Sequence, residues 1–227
     1  MSVFVIADLH LSLATEKSMT VFNGWENYVE RIQTNWNRIV SPEDTVVLPG
    51  DISWAMHITE TYKDFAFIHR LPGQKIILKG NHDYWWTSMT KMNKYLAECG
   101  FDTIHLLHNN CYTAGKIAIC GSRGWFFDDA DKKILNREVG RIRTSIQAAV
   151  QTGLEPVLFL HYPPVTVDAV CDEILDVMQE FGIRRCYYGH IHKAGSYKVV
   201  NGSCRGVEFR CVSSDMVGFV PQLVRDY

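Results

Sequence analysis

Short apolar runs alternate with longer amphipathic segments along this chain, and this alternation limits its fold more than any other feature. The segments around 25–40, 59–70, 87–98, 130–151 and 168–181 space their apolar residues as helices do. The apolar runs are short and rich in branched and aromatic residues, which is typical of buried strands: VFVIA (3–7), TVVLP (45–49), KIILK (75–79), KIAIC (116–120), PVLFL (156–160) and RCYYG (185–189). The alternation predicts an α/β fold in which mixed sheets pack together with helices outside.

The tail from Ser196 onward has a different pattern. Asn201 and Gly202 lie between two β-type runs, which predicts a hairpin that turns at this pair. No repeat, low-complexity tract or linker divides the 227 residues, so we expect a single domain over 1–227. The loop 12–24 and the segment 125–133 are predicted to be mobile flaps.

Charge and cysteine content exclude several functional classes. The formal net charge of −2 gives no overall attraction to nucleic acid or acidic lipid, so neither is an indicated partner. No apolar run is long enough to span a bilayer. The seven cysteines form no CxxC pair, and the N-terminus does not resemble a secretory signal, which favours reduced thiols and a cytoplasmic location.

Residues of the types that bind metals follow nearly every predicted strand. Five of the nine histidines lie at these strand ends. In α/β folds, sites form in the crevice beyond the carboxyl ends of the strands, so we expect the clusters to meet there. In chain order they are DLH with Asp8 and His10, GD with Asp51, GNHD with Asn81, His82 and Asp83, HYPP with His161, and GHIH with His190 and His192.

The spacing and types of these residues indicate a pair of metal ions. Residues two apart in an extended chain point the same way, so Asp8 and His10 can face one ion together, and His190 and His192 have the same spacing. Three oxygen donors and four imidazoles are too many for one ion and suit two ions that share a carboxylate. Nitrogen and oxygen donors without thiolates favour Mn, Fe or Zn over a structural zinc–thiolate site.

The ordered motifs D-x-H, G-D, G-N-H-D, H and G-H-x-H resemble those of the calcineurin-like metallophosphoesterases. They run from Asp8 to His192, and the ordered set is far more specific than any single motif. The resemblance implies a four-layer αββα sandwich, with two mixed β-sheets flanked by helices and a dinuclear metal site at the strand ends.

The resemblance also implies roles for the matching residues. It places Asp8, His10, Asp51 and His192 on a first ion and Asp51, Asn81, His161 and His190 on a second, with Asp51 bridging. His82 matches the family's histidine that stabilises the phosphoryl group and protonates the leaving oxygen, and Asp83 matches the carboxylate that orients this ring. The implied reaction is hydrolysis of a phosphate ester by a hydroxide held between the two ions.

The residues around the motifs leave the substrate open. The family's protein phosphatases have an acidic residue and an arginine after the second motif, whereas this chain has Trp54 and Ala55 there, which argues against a phosphoprotein substrate. Trp54 and Tyr84 are candidate stacking surfaces for a substrate, although most aromatic residues beside the motifs are expected to pack in the core. Arg123 is a candidate for binding a substrate phosphate, and the alternative is a surface arginine in a turn.

The hypothesis from the sequence is a metal-dependent phosphoesterase for a small-molecule phosphate ester, with a phosphodiester or nucleotide-like substrate favoured. The alternatives are a phosphomonoesterase of the same family and a non-catalytic binding scaffold with the same fold. A scaffold would be expected to lack ligands or the acid histidine, whereas this chain has all of them. A nuclease would need a basic groove, which the overall charge does not support. The sequence leaves the oligomeric state open.

Overall fold

Two β-sheets lie face to face in the computed structural model, which describes residues 1–125 and 132–224. The first sheet has the order β11-β1-β2-β3-β4, in which β1 to β4 are parallel and β11 pairs antiparallel with β1. Its strands are β1 (Val3–Val5), β2 (Thr45–Pro49), β3 (Gln74–Leu78), β4 (Ile104–Leu106) and β11 (Gln222–Leu223).

The second sheet also has a parallel centre, with an antiparallel strand at each edge. Its order is β5-β6-β7-β8-β10-β9, and only the edge strands β5 and β9 run against their neighbours. Its strands are β5 (Cys111–Ala114), β6 (Ile117–Ser122), β7 (Glu155–Leu160), β8 (Arg185–Tyr188), β9 (Gly202–Cys204) and β10 (Val207–Cys211). Both sheets are therefore mixed, as predicted.

Helices pack on the outer face of each sheet. The helix α1 (Tyr28–Ile39) buries one side chain per turn, those of Tyr28, Ile32 and Trp36, against the first sheet. The helices α2 (Tyr62–Arg70) and α3 (Met89–Glu98) complete this layer, while α4 (Lys132–Val150) and α5 (Asp172–Glu180) cover the second sheet. The four-layer αββα sandwich is confirmed.

Alternation along the strands gives each sheet two buried faces. Val3 and Val5 face the second sheet, where they meet residues such as Phe159, whereas Phe4 faces the helices of the first layer. Strands buried on both faces read as continuous apolar runs, which is why the sequence shows them so clearly.

The hairpin of the tail does not turn at Asn201 and Gly202, so that prediction is wrong. Cys204 pairs with Val207, and the turn is formed by Arg205 and Gly206, with φ angles of 48° and 80°. Asn201 instead accepts a hydrogen bond on its side-chain oxygen from the Cys211 amide, 2.8 Å away. The parallel pairing of β10 with β8 fixes this register, which a local turn signal does not reveal.

Two further predictions concern the loops. The loop 12–24 contains a short 3-10 helix, Met19–Val21, and its mobility stays a prediction. Most of the second predicted flap, 125–133, lies outside the described residues. Among the described helices, none combines the length and apolar character that a membrane crossing requires.

Candidate active site

The carboxyl ends of the parallel strands bring the metal-binding residue types together. Asp8 follows β1, Asp51 follows β2 and Asn81 follows β3, so the first sheet supplies the carboxylates and the amide. The second sheet supplies His161 after β7 and His190 after β8. Since both sheets point these ends toward one edge of the sandwich, residues far apart in the sequence become neighbours.

One group of possible ligand atoms comes from Asp8, His10 and His192, and these atoms all lie within 4.8 Å of one another. The Nε2 atoms of His10 and His192 are 3.3 Å apart, and Asp51 Oδ2 lies 3.8 Å from His10 Nε2. Two imidazole nitrogens at this separation direct lone pairs at each other unless a proton or a cation lies between them. This arrangement fits the first ion that the resemblance implies.

A second group contains Asp8, Asp51 and His161, again with atoms within 4.8 Å of one another. Asp51 Oδ2 lies 3.5 Å from His161 Nε2, so the same carboxylate oxygen faces both groups. Asn81 Oδ1 is 2.6 Å from His161 Nε2 and 2.9 Å from His190 Nδ1. The structure thus brings together all seven residues that the sequence suggested as ligands.

The backbone at this edge adopts conformations that non-glycine residues seldom use. The φ angles are 58° at Asp8, 45° at His10, 52° at Asp51 and 71° at His190. Each such residue costs of the order of 1 kcal/mol, so the surrounding fold must enforce the geometry. Strain of this kind concentrates at functional sites, and here it turns four ligand side chains toward one point.

Glycines let the strand ends approach each other closely. A Cβ atom on Gly80 would lie 2.1 Å from Asp51 Oδ1 and 2.3 Å from the Asp51 backbone nitrogen. A Cβ atom on Gly189 would lie 2.7 Å from Asp8 Oδ2. Both positions exclude any side chain, because an added Cβ would displace a carboxylate of the site.

The charge state of the cluster suits cation binding. Burial raises the pKa of Asp8 to about 7, although the charge of His192 opposes this, and the Asp8 Oδ1 atom is buried with no hydrogen-bond partner among the described residues. Burial also lowers the pKa of His161 and of His190 to about 3, which keeps both rings neutral. Neutral imidazoles beside under-compensated carboxylates are the donor set that divalent cations such as Mn, Fe or Zn require.

Two of the imidazoles are oriented by a second partner at Nδ1. His161 Nδ1 donates to the Pro49 carbonyl at 3.0 Å, so in the neutral ring Nε2 carries the lone pair. This nitrogen lies 3.5 Å from Asp51 Oδ2. His192 Nδ1 lies 3.0 Å from Asp215 Oδ1, and Asp215 Oδ2 accepts from the Lys193 amide at 2.9 Å. Such outer partners orient metal-binding histidines.

Asp215 was missed by the sequence analysis, although a signal for it exists. It follows β10 in the stretch CVSSD, so it is another polar residue at a strand end. Burial lowers the pKa of His192, but the hydrogen bond with Asp215 and the charges of Asp8, Asp215 and Asp51 outweigh it and raise this pKa to about 9.

His82 lies beside the ligand cluster rather than within it. Its amide donates to Asp51 Oδ1 at 2.7 Å, its ring centroid is 5.7 Å from that of His10, and its buried Nδ1 has no hydrogen-bond partner among the described residues. Burial lowers its pKa below the usual range, with Asp51 opposing. The half-buried ring therefore borders the cluster with one nitrogen unpaired within the described part of the chain.

No hydrogen bond joins Asp83 to His82 among the described residues, and the orienting role of Asp83 stays a prediction. Its Oδ2 accepts from the amides of Asp51 and Gly80, at 2.9 and 2.7 Å. Its Oδ1 accepts from the amides of Ile52 and Ser53 and from the indole nitrogen of Trp85. Because the carboxylate is fully buried and these donors surround it, its role is to hold the turn that carries Asp51 against the GNHD turn.

The candidate substrate contacts lie around this cluster. Trp54 stacks on His10 with ring centroids 5.0 Å apart, and its ring is 4.4 Å from that of His82. Tyr84 is 50% exposed and its ring lies 6.1 Å from that of His82. By contrast, Trp85 is buried in the core, as expected for most of the aromatic residues beside the motifs.

Arg123 lies at the end of the second sheet next to His161. Strand β6 pairs Ser122 with Leu160 of β7, and the Arg123 carbonyl accepts from the Tyr162 amide at 2.9 Å. Its guanidinium is 5.6 Å from the centre of the Tyr162 ring. Burial raises the pKa of Asp51 and the charge of Arg123 partly opposes this, whereas burial lowers the pKa of His161 and the charge of Arg123 adds to that effect. Arg123 is thus close enough to influence an anion at the site.

Comparisons with known proteins agree with this geometry. The family model described as "Calcineurin-like phosphoesterase" matches residues 1–194, which include every motif. No curated protein matches the chain.

Solved structures share the fold at low sequence identity. Phosphopantetheinyl hydrolase from Mycobacterium tuberculosis has a TM-score of 0.58 at 15% identity, covering 99% of this chain and 96% of its own. A protein of unknown function from Aquifex aeolicus has a TM-score of 0.52 at 17% identity, with 98% and 95% covered. The protein TT1561 of Thermus thermophilus has a TM-score of 0.56 at 8% identity, with 86% and 85% covered. These likenesses show the fold alone.

Proposed function

Because this chain belongs to the calcineurin-like phosphoesterase family and is a metal-dependent hydrolase, we propose that it cleaves a small-molecule phosphodiester at the cluster described above. The observation that carries the proposal is the position of Asp51 Oδ2, which lies 3.8 Å from His10 Nε2 and 3.5 Å from His161 Nε2. One carboxylate oxygen between two groups of imidazoles suits a bridge between two divalent cations.

We assign the ligands as the family resemblance implies. Asp8, His10, Asp51 and His192 would hold the first cation, and Asp51, Asn81, His161 and His190 the second. The cations, when bound, would lower the pKa of water and neutralise negative charge on the phosphoryl oxygens.

His82 is assigned as the general acid for the leaving oxygen. Its ring borders the cluster, and its amide is tied to Asp51, so the imidazole is held beside the position of the phosphate. Burial lowers its pKa in the free protein. The negative charge of a bound phosphate would raise that pKa and so favour the protonated ring that donates to the leaving group.

Space on two sides of the cluster supports a diester over a monoester. An apolar cavity of about 580 Å³, lined by Met19, Phe22 and Trp25, adjoins His192. A second cavity of about 420 Å³, lined by Tyr162 and Lys198 among others, adjoins His190. A phosphodiester carries an organic group on each side of the phosphorus and can use both cavities, whereas a monoester needs only one.

The test is hydrolysis of bis-p-nitrophenyl phosphate and of p-nitrophenyl phosphate by protein loaded with Mn, Fe, Co or Zn. We expect the diester to have the higher kcat/KM, and we expect His82→Ala to reduce its turnover while metal content is unchanged. No turnover of either ester with any of these cations would overturn the enzymatic proposal, and a preference for the monoester would overturn its diester part.

A further inference from the structure

A cleft beside the candidate active site collects positively charged side chains, and the described residues neutralise only part of their charge. Its volume is about 290 Å³, and its walls include Lys79, Arg123, Arg141 and Trp86. None of the seven candidate metal ligands lines it, so it is distinct from the place where the scissile phosphate would bind.

Strand ends from both sheets build this cleft. Lys79 directly follows β3, two residues before Asn81, and Arg123 directly follows β6. The two ends are adjacent, because a Cβ atom on Gly121 of β6 would lie 3.1 Å from Leu78 Cδ2 of β3. The end of β3, which leads to Asn81, and the end of β6 therefore meet at the cleft.

No carboxylate lines the cleft among the described residues, and Glu138, which contacts the wall residues Ser122 and Arg141, is already paired. Glu138 Oε1 accepts from the Ser122 hydroxyl and from the Gly124 amide, and Oε2 lies 3.2 Å from Arg141 Nη1. Neither Lys79 nor Arg123 has an ion-pair partner within the described ranges, and the buried Nε of Arg123 has no hydrogen-bond partner there.

Electrostatics and a helix end strengthen the preference for an anion. Burial, and then the charges of Arg123 and Arg141, lower the pKa of Lys79, while Asp83 opposes them, so the three cations lie within range of one another. The N-terminus of α3 opens into the same cleft through Ser88 and its neighbours and adds partial positive charge. Guanidinium groups, an ammonium group and a helix N-terminus together are the usual surroundings of a phosphate.

We propose that this cleft binds a second phosphate group of the substrate, so that the natural substrate is a phosphate ester that carries another phosphate. This inference rests on the proposed phosphoesterase function, and it adds a specificity-determining site to it. Lys79 and Arg141 would contact the second phosphate, Arg123 would lie between the two phosphates, and Trp86 would form an apolar wall beside the group that joins them.

Two chromogenic diesters that differ only in one phosphate test the proposal. They are the p-nitrophenyl ester of thymidine 5′-phosphate and the same ester with an added 3′-phosphate, and both release p-nitrophenol. For the natural sequence we expect kcat/KM to be about tenfold higher for the bisphosphorylated ester, since one charge-assisted hydrogen bond accounts for a factor of that order. In Lys79→Met, and in the milder Arg141→Gln, the ratio of the two values should fall to near unity.

Lys94→Met is the matched control, because Lys94 is 73% exposed on α3, and its ion-pair partner among the described residues is Glu98, at 3.6 Å. It should leave the ratio unchanged. Binding is measured separately by calorimetry, with thymidine 3′,5′-bisphosphate and thymidine 5′-phosphate as probes. The bisphosphate should bind more tightly to the natural protein, and Lys79→Met should remove most of the difference.

The outcomes separate the two proposals. If bis-p-nitrophenyl phosphate is hydrolysed but the added phosphate changes neither kcat/KM nor binding, the cleft is not a phosphate site and this inference is overturned. If no ester is hydrolysed but the bisphosphate still binds more tightly in a Lys79-dependent way, the phosphate site stands and the proposed function fails.

Discussion

The replacement Asp83→Asn tests whether this residue supports the Asp51 turn or orients the imidazole of His82, the proposed general acid. The carboxylate is fully buried and accepts five hydrogen bonds, four from backbone amides and one from the Trp85 indole. In asparagine one oxygen becomes an NH₂ group. Whichever way the amide is oriented, at least two of the donors then face another donor.

The cost follows from these contacts. A hydrogen bond to a charged acceptor contributes about 1.5–3 kcal/mol, so two lost bonds remove about 3–6 kcal/mol. Removing the buried charge offsets part of this loss, since burial raises the pKa of Asp83 to about 7. We expect a net destabilisation of about 3 kcal/mol, which for a chain of this size lowers Tm by about 6–12 °C.

The assay is urea unfolding followed by circular dichroism, with Asp102→Asn as the control. The Asp102 side chain is 86% exposed and lies 3.8 Å from His69 Nδ1, so its replacement should change the free energy of unfolding by less than about 0.5 kcal/mol. The structural role is refuted if Asp83→Asn has the same free energy of unfolding as the natural protein while the acidic limb of its kcat–pH profile shifts. That result would mean that Asp83 acts on His82.

Three further perturbations test the site. His82→Ala should lower kcat by about 10²–10⁴, the usual contribution of a general acid, with metal content unchanged; equal turnover would remove its assigned role. Gly80→Ala should abolish metal loading, measured by elemental analysis, because its Cβ would lie 2.1 Å from Asp51 Oδ1, whereas Gly140→Ala in α4 meets no atom within 4 Å and should load normally. In the metal-free protein His192 has a pKa of about 9, above its ordinary 6.5, so its stabilising contribution is complete below pH 6.5 and is lost as the pH rises through 9. Cation binding should therefore release more protons at neutral pH than well above pH 9, by about one for His192 in addition to the share of Asp8, whose pKa is about 7, as found by calorimetry in buffers of different ionisation enthalpy. A release that does not depend on pH would contradict the assignment of His192.

Predictions from the apolar runs agreed with the structure, whereas the local turn signal at Asn201 and Gly202 did not. The run TVVLP is β2 over the same residues, Thr45–Pro49, because a strand buried on both faces needs consecutive apolar side chains. The candidate ligands were found in the same way, since each cluster directly follows such a run. Residues that directly follow parallel strands lie at the same edge of the fold. Asp8 and His161 could therefore be placed together from the sequence, and the structure has them 3.7 Å apart.

The hydrogen-bond partners of Asp83 and Asp215 depend on residues that are distant in the sequence and close in the fold. Asp83 follows His82 in the sequence, yet its oxygens accept from the turn around Asp51, which the packing of β2 against β3 places beside it. Asp215 lies far from His192 in the sequence and reaches it only through the pairing of β10 with β8.

The features predicted from the sequence differ from those seen only in the structure for one physical reason. Burial and strand periodicity act on neighbouring residues, so the sequence alone determined the strands that read as apolar runs, the edge at which the candidate site lies and the types of candidate ligand there. Hydrogen bonds and charge interactions act over a few ångströms regardless of sequence separation. The tertiary structure alone therefore decided which partner holds each imidazole. It also decided that Lys79, from one sheet, shares a cleft with Arg123, from the other.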